Sequence, residues 1–88
     1  MYLHIGNDMI LRKREILGIF DLDNTSQSLQ TRRFLSKAEQ AGEVVNAAGE
    51  ELPKSFVLCV RDGRQTVYLS QLNASTLYRR GELLGVET

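Results

Sequence analysis

The sequence predicts an α+β domain, a small mixed or antiparallel β-sheet with one main helix and a short C-terminal helix. Three observations carry this prediction. Short apolar runs rich in β-branched and aromatic residues alternate with turn dipeptides, and a single proline-free stretch over 28–41 has helical spacing. The chain, 88 residues at 9.9 kDa, has room for one core. With 42% hydrophobic and 25% charged residues it has the make-up of a folded domain and not of a disordered tail. A chain of this size buries only about 60–65% of its unfolded surface, so a lone core is marginal and self-association is expected.

Taken in order, Tyr2-Leu3-His4-Ile5 and Met9-Ile10-Leu11 flank Gly6-Asn7-Asp8, turn chemistry that predicts a hairpin. Residues 15–22, Glu-Ile-Leu-Gly-Ile-Phe-Asp-Leu, carry apolar groups on both parities and predict a strand covered on both faces, by a helix on one side and a neighbouring subunit on the other. Asn24, Thr25 and Ser26 are capping residues for a helix over Ser28 to Ala41, with Phe34, Leu35, Ala38 and Ala41 on one face and Gly42 as its stop. Glu43-Val44-Val45 is a weak extra strand. Ser55 to Arg61 and Thr66 to Ser70 are strands joined through Asp62-Gly63, the strongest hairpin signal in the chain, and the first of them is apolar on both faces. Asn73 or Ser75 caps a last helix bearing Leu77 and Tyr78 and stopped by Gly81. The expected domain is 1–84, with 85–88 a short tail. Phe20, Phe56 and Leu58 are expected in the core or an interface.

The lone Cys59 has no partner for an internal disulfide and sits in the run Phe56 to Val60, as a buried thiol does. With no basic and apolar leader and no run near the ~20 residues of a membrane span, the expected location is cytoplasmic, with no membrane partner. His4 stands alone, so no zinc constellation forms, and it is expected as a partly exposed strand residue. The stretch Ile19-Phe20-Asp21-Leu22-Asp23-Asn24-Thr25 resembles the first motif of the haloacid dehalogenase phosphatases, an Asp-x-Asp at a strand end. Such a site needs a later lysine and acidic cluster on a doubly wound sheet. Neither Lys37 nor Lys54 has the right strand-end context, and the remaining chain is too short, so Asp21 and Asp23 are read as a strand end leading to a helix N-terminus. Asn24-Thr25-Ser26 and Asn73-Ala74-Ser75 match the glycosylation sequon, and capping accounts for both. No catalytic residue, metal, cofactor or small-molecule substrate is expected.

Net charge is zero, so a polyanion has to be met by a local patch. Eight of the 11 basic residues are arginines, the side chain suited to phosphate but equally to ion pairs and interfaces. The clusters are Arg12-Lys13-Arg14, Arg32-Arg33 with Lys37, and Arg79-Arg80. On a strand Arg12 and Arg14 share a face; on a helix Arg33 and Lys37 do. Like charges on one face cost a few tenths of a kcal/mol unless something anionic meets them. Composition alone leaves phosphate binding and a solvated or ion-paired surface both open.

Four stretches stand out when the whole chain is read: Met1-Tyr2-Leu3-His4-Ile5-Gly6, residues 15–21, Pro53-Lys54-Ser55-Phe56-Val57-Leu58, and Tyr68-Leu69-Ser70 followed by Ser75-Thr76-Leu77-Tyr78-Arg79-Arg80. In their order and spacing the chain resembles the RemA/RemB family of bacterial extracellular-matrix (biofilm) gene regulators, most closely the RemB branch. The resemblance implies a DNA-binding transcriptional regulator, not an enzyme, that assembles as a homo-oligomer in rings and contacts double-stranded DNA electrostatically. It departs at one loop. Where the RemA branch has an arginine pair after a glycine, tied to DNA binding, this chain reads Gly49-Glu50-Glu51-Leu52-Pro53-Lys54. Carboxylates repel phosphate, so those contacts do not carry over. The candidate DNA-binding residues are therefore Arg12, Arg14, Arg32, Arg33 and Lys54. Arg79 and Arg80, on the last helix, are better suited to dipole or interface roles. An oligomeric scaffold or protein-interaction module of the same fold, with DNA binding lost through Glu50 and Glu51, is the alternative.

Overall fold

The computed structural model describes residues 1–22 and 28–84. Strands β1 (Tyr2–Gly6) and β2 (Met9–Arg12) form the first hairpin as an antiparallel pair. Asn7 and Asp8 both have positive φ, 46° and 60°, which a two-residue hairpin turn demands and which asparagine and aspartate tolerate. Alternation sends Leu3, Ile5 and Leu11 into the core and leaves Tyr2, His4, Ile10 and Arg12 exposed, so His4 is a solvent-facing strand residue. The chain then leaves strand geometry: Lys13–Glu15 is a 3₁₀ turn, and β3 begins at Ile16 and ends at Asp21. Two expectations fall here. The strand does not start at Glu15, and Arg12 and Arg14 do not share a strand face, because the period of two stops at Arg12.

A second, four-stranded sheet has the order β3-β5-β6-β4, with β4 (Val44–Asn46), β5 (Ser55–Arg61) and β6 (Arg64–Ser70). The sequence predicts one sheet; the structure has two. Its pairs are antiparallel except β4 with β6, which is parallel, so the sheet is mixed. Asp62 and Gly63, at φ 52° and 77°, make the two-residue turn between β5 and β6, which lets β6 start at Arg64 instead of Thr66. In β3 the pairing slips between Ile16 and Gly18, a bulge that takes up Leu17 and leaves it 67% exposed. The slip resolves the double parity of residues 15–22. Ile16 and Ile19 face one core cluster, while Phe20 lies on the other side, stacked on Phe56 with ring centroids 4.8 Å apart. Gly18 makes room for that ring, since a Cβ there would come within 2.8 Å of Phe20 Cζ.

Helix α1 (Leu29–Gln40) opens at Ser28, whose hydroxyl accepts from the Thr31 amide. The predicted caps Asn24, Thr25 and Ser26 lie outside the described residues. It ends with Gly42 at φ 72°, where the Gly42 amide donates to Glu39 and the Glu43 amide to Ala38, the paired bonds of a Schellman ending. Helix α2 (Ala74–Leu84) is capped by Asn73, whose Oδ1 accepts from the Thr76 amide. It is neither short nor stopped at Gly81. A glycine ends a helix by turning left-handed; Gly81 stays helical, and its carbonyl accepts a hydrogen bond from Lys13 Nζ at 2.7 Å.

The four-stranded sheet is the middle of three layers. Phe56, Val67, Leu58 and Leu69 on one face pack with Phe34, Leu35 and Ala38 of α1. Val57, Cys59 and Tyr68 on the other pack with Leu3, Ile5 and Leu11 of the first hairpin and Leu77 of α2. Double-faced burial in Ser55–Arg61 is therefore met by the chain's own two layers. Residues 15–22 are covered only in part by the chain itself, since Leu17 is exposed and β3 is an edge strand. Phe56 is buried, Leu58 partly so, and Phe20 remains 39% exposed.

Candidate nucleic-acid interface

Strand order and direction sort the charged residues to two ends of the sheet. At one end, the hairpin end, lie the turn Asp62-Gly63 with its flanks Arg61 and Arg64, the 3₁₀ turn Lys13–Glu15 leading into β3, and Glu43 at the start of β4. At the other, the loop end, lie Asp21, the segment 47–54 and the N-terminus of α1, with the Asn7-Asp8 turn tied to the segment by a bond from Asn7 Nδ2 to the Ala47 carbonyl at 2.8 Å. Among the described residues basic groups outnumber acidic ones at the hairpin end, and the reverse holds at the loop end.

The predicted candidates divide between the two. Arg12 and Arg14, both exposed, belong to the hairpin end. Arg32, Arg33 and Lys54, also exposed, belong to the loop end, where Arg32 and Pro53 share a groove of about 340 Å³ with Leu22, Leu35 and Leu69. Arg33 and Lys37 are exposed one helical turn apart on α1. Glu50 and Glu51 are exposed in the turn after the buried pair Ala47-Ala48 and stand close to Lys54 along the chain. Arg80 is committed to structure: its guanidinium donates to the His4 carbonyl at 3.1 Å.

Two arginines outside the predicted set, Arg61 and Arg64, form a directly opposed cross-strand pair. The signal is present in Arg61-Asp62-Gly63-Arg64, because a two-residue turn makes its flanking residues partners on one face. That face continues through the pairs Cys59–Thr66 and Val57–Tyr68 into the core. Glu15, Thr66 and Tyr68 line, with the two arginines, an open cleft of about 640 Å³ over Cys59. Glu15 approaches Arg61 at 3.7 Å, a long ion pair between a mostly shielded carboxylate and a largely exposed guanidinium, worth about 1 kcal/mol or less. Burial pushes the Cys59 thiol up to about 11, with Glu15 adding to the effect, and burial likewise raises Tyr68. Both stay protonated at neutral pH, so the cleft offers a thiol and a phenol and no nucleophilic thiolate.

Asp21 ends β3 on an edge of a sheet whose pairs are mostly antiparallel, not the parallel doubly wound sheet that the Asp-x-Asp motif requires; Asp23 to Thr25 lie outside the described residues. Among the described residues no three His, Cys, Asp or Glu side chains gather as metal ligands, and no helix is long and apolar enough to cross a membrane.

Comparison with known proteins matches residues 2–80 to the family described as RemA-like, extracellular matrix regulatory protein A-like. The chain is also similar to the protein named "Extracellular matrix regulatory protein B" of Bacillus subtilis (strain 168). The two are 37% identical over 84 residues, 96% of this chain and 94% of that protein. A match over nearly the whole length places the chain in the RemA-like family.

Proposed function

With membership of the RemA-like family as premise, we propose that this chain is a cytoplasmic, DNA-binding transcriptional regulator of extracellular-matrix (biofilm) genes, assembled as a homo-oligomer and holding the DNA backbone electrostatically. The observation that carries the reading is full-length similarity to a family and a relative both named as extracellular matrix regulatory proteins. Exposed arginines without deep acidic partners support the electrostatic part, because phosphate contacts from such side chains supply affinity without reading sequence. Oligomerisation supports it in turn: repeated modest patches on one assembly gain affinity through effective concentration. The exposed, partly apolar edge at Leu17 and Phe20 and the outer hairpin face at Tyr2 and Ile10 are among the surfaces available for self-association.

A second reading, an oligomeric scaffold of the same fold that does not bind DNA, is favoured by one observation: Glu50 and Glu51 face solvent at the loop end. A gel-shift titration with long matrix-promoter DNA at two salt concentrations separates the two. Retarded complexes that weaken steeply with salt support the regulator. An intact oligomer without salt-sensitive binding supports the scaffold. Light scattering at micromolar concentration supplies the oligomer test, and a mass near 9.9 kDa would count against self-association.

A further inference from the structure

The charge of this protein is zero in sum but divided in space, and the division selects a surface. At the hairpin end the β5–β6 ladder places Arg61 directly opposite Arg64 on one face. Opposed like charges on neighbouring strands cost stability unless an anion meets them. The acids at that end offset the basic groups only in part. Glu15 reaches Arg61 at 3.7 Å, and Glu43, which accepts from Gln65 Nε2 at 3.0 Å, lines a cleft with Arg64 without closing an ion pair to it. Asp62 sits in the turn itself and has no ion pair among the described residues; nor has Arg64. Arg14, exposed at the entry to β3, adds a third guanidinium at the same end. Behind the arginines the Thr66 and Tyr68 side chains line the open cleft, and a hydroxyl donates to a phosphate oxygen as readily as to water. The loop end is slightly acidic, with Asp8, Asp21, Glu50 and Glu51 against Arg32, Arg33 and Lys54, and offers a polyanion less.

We propose that duplex DNA is met by the hairpin end of the sheet, with Arg14, Arg61 and Arg64 on backbone phosphates, and not by the loop end. The inference rests on the DNA-binding reading above and narrows it to one surface. It removes Arg32, Arg33 and Lys54 from the DNA-facing set and adds two residues that flank the β5–β6 turn.

The test is a salt series of anisotropy titrations with the full chain and one long duplex. Arg64→Ala is the primary variant, because Arg64 holds no internal partner among the described residues whose removal would confuse the result. It should flatten the dependence of log affinity on log salt by about one unit for each phosphate that a subunit no longer neutralises. Arg64→Lys, which keeps the charge, should restore the slope. The double variant Arg33→Ala with Lys54→Ala should keep the wild-type slope. An unchanged thermal midpoint for each variant establishes that the fold is intact. Wild-type binding with an unchanged slope in Arg64→Ala and a lowered one in the Arg33 and Lys54 variant overturns the inference alone. Absence of salt-sensitive binding by the wild-type protein overturns the DNA-binding reading and the inference with it.

Discussion

The two ends of the sheet are built on different principles. The loop end is stitched by short, buried hydrogen bonds. Ser70 Oγ donates to the Ile5 carbonyl and Ser55 Oγ to the Leu72 carbonyl, each at 2.7 Å, and both serines are fully buried. The Lys54 amide donates to Ser70, the Leu22 amide to Lys54 and the Ala47 amide to Leu69, so β1, β3, β5, β6 and the entry to α2 converge there. The hairpin end has exposed arginines, a 3.7 Å ion pair and a tight turn with positive φ. Where water has been excluded polar groups find partners inside the protein, with buried Gln71 Oε1 the exception among the described residues; where water remains, charges need not. One end therefore fixes the fold, and the other is free to vary in charge without endangering it.

The largest expected effect attacks the packing that the loop end organises. Leu77, in the first half of α2, is completely buried in the cluster that joins the helix to β1 and β5. Leu77→Ala should destabilise the protein by about 2–5 kcal/mol, measured by urea denaturation. Next is Ser70→Ala, which leaves the buried Ile5 carbonyl and the Leu72 amide without their shared hydroxyl. A cost of about 1–3 kcal/mol is expected. Arg64→Ala in the same assay should stay within ~0.5 kcal/mol of wild type, as for an exposed residue away from caps and networks. Equal destabilisation at Ser70 and Arg64 would break the contrast between the ends.

A third test writes charge into the loop end. Because Glu50 and Glu51 are exposed and make no ion pair among the described residues, Glu50→Arg with Glu51→Arg should leave stability near wild type. If the hairpin end alone meets the duplex, this double variant should gain only from its altered overall field, with affinity rising less than about tenfold and the salt slope barely changing. A slope steeper by about two units per subunit would instead identify the loop end as a DNA-facing surface whose charge this protein has inverted.

Much of this fold was legible in the chain because local chemistry decides it. Asn7-Asp8 and Asp62-Gly63 specify two-residue turns, Gly42 marks the stop of α1, and Phe56 to Val60 declares a strand buried on both sides, whereas the cap of α1 is Ser28 and not one of the three residues expected upstream. The misses have equally physical causes. Lys13-Arg14-Glu15 has no apolar period from which a 3₁₀ turn could be read, and the glycine at 81 stays helical because nothing requires a left-handed residue there. The Leu17 bulge changes the face of half a strand, and strand propensity does not reveal it. The candidate site was the least legible part. A net charge of zero hides its polarity until strand order and direction are known, although Arg61 and Arg64 could have been paired from the Asp-Gly turn between them.

The smallest expected effect is a pH dependence that samples the boundary between the wet cleft and the dry core. Cys59 lies beneath Arg61 and Arg64 but is only 5% exposed, and burial raises its thiol from 9.0 to about 11. The folded state therefore keeps its proton in a range where the unfolded chain has released it, and fewer protons bound in the unfolded state mean that stability falls as pH rises. The contribution is complete below about 9 and disappears as pH climbs to about 11. In urea denaturation between pH 8 and 10.5, wild type should lose more stability than Cys59→Ala, whose curve lacks this ionisation and retains only that of the other groups. Below pH 8.5 the difference between the two proteins should be constant, set by packing alone. A thiol reagent should label folded wild type slowly at pH 8 and rapidly in denaturant. Fast labelling of the folded protein would mean that the cleft reaches the sulfur, and that the dry layer begins deeper than Cys59.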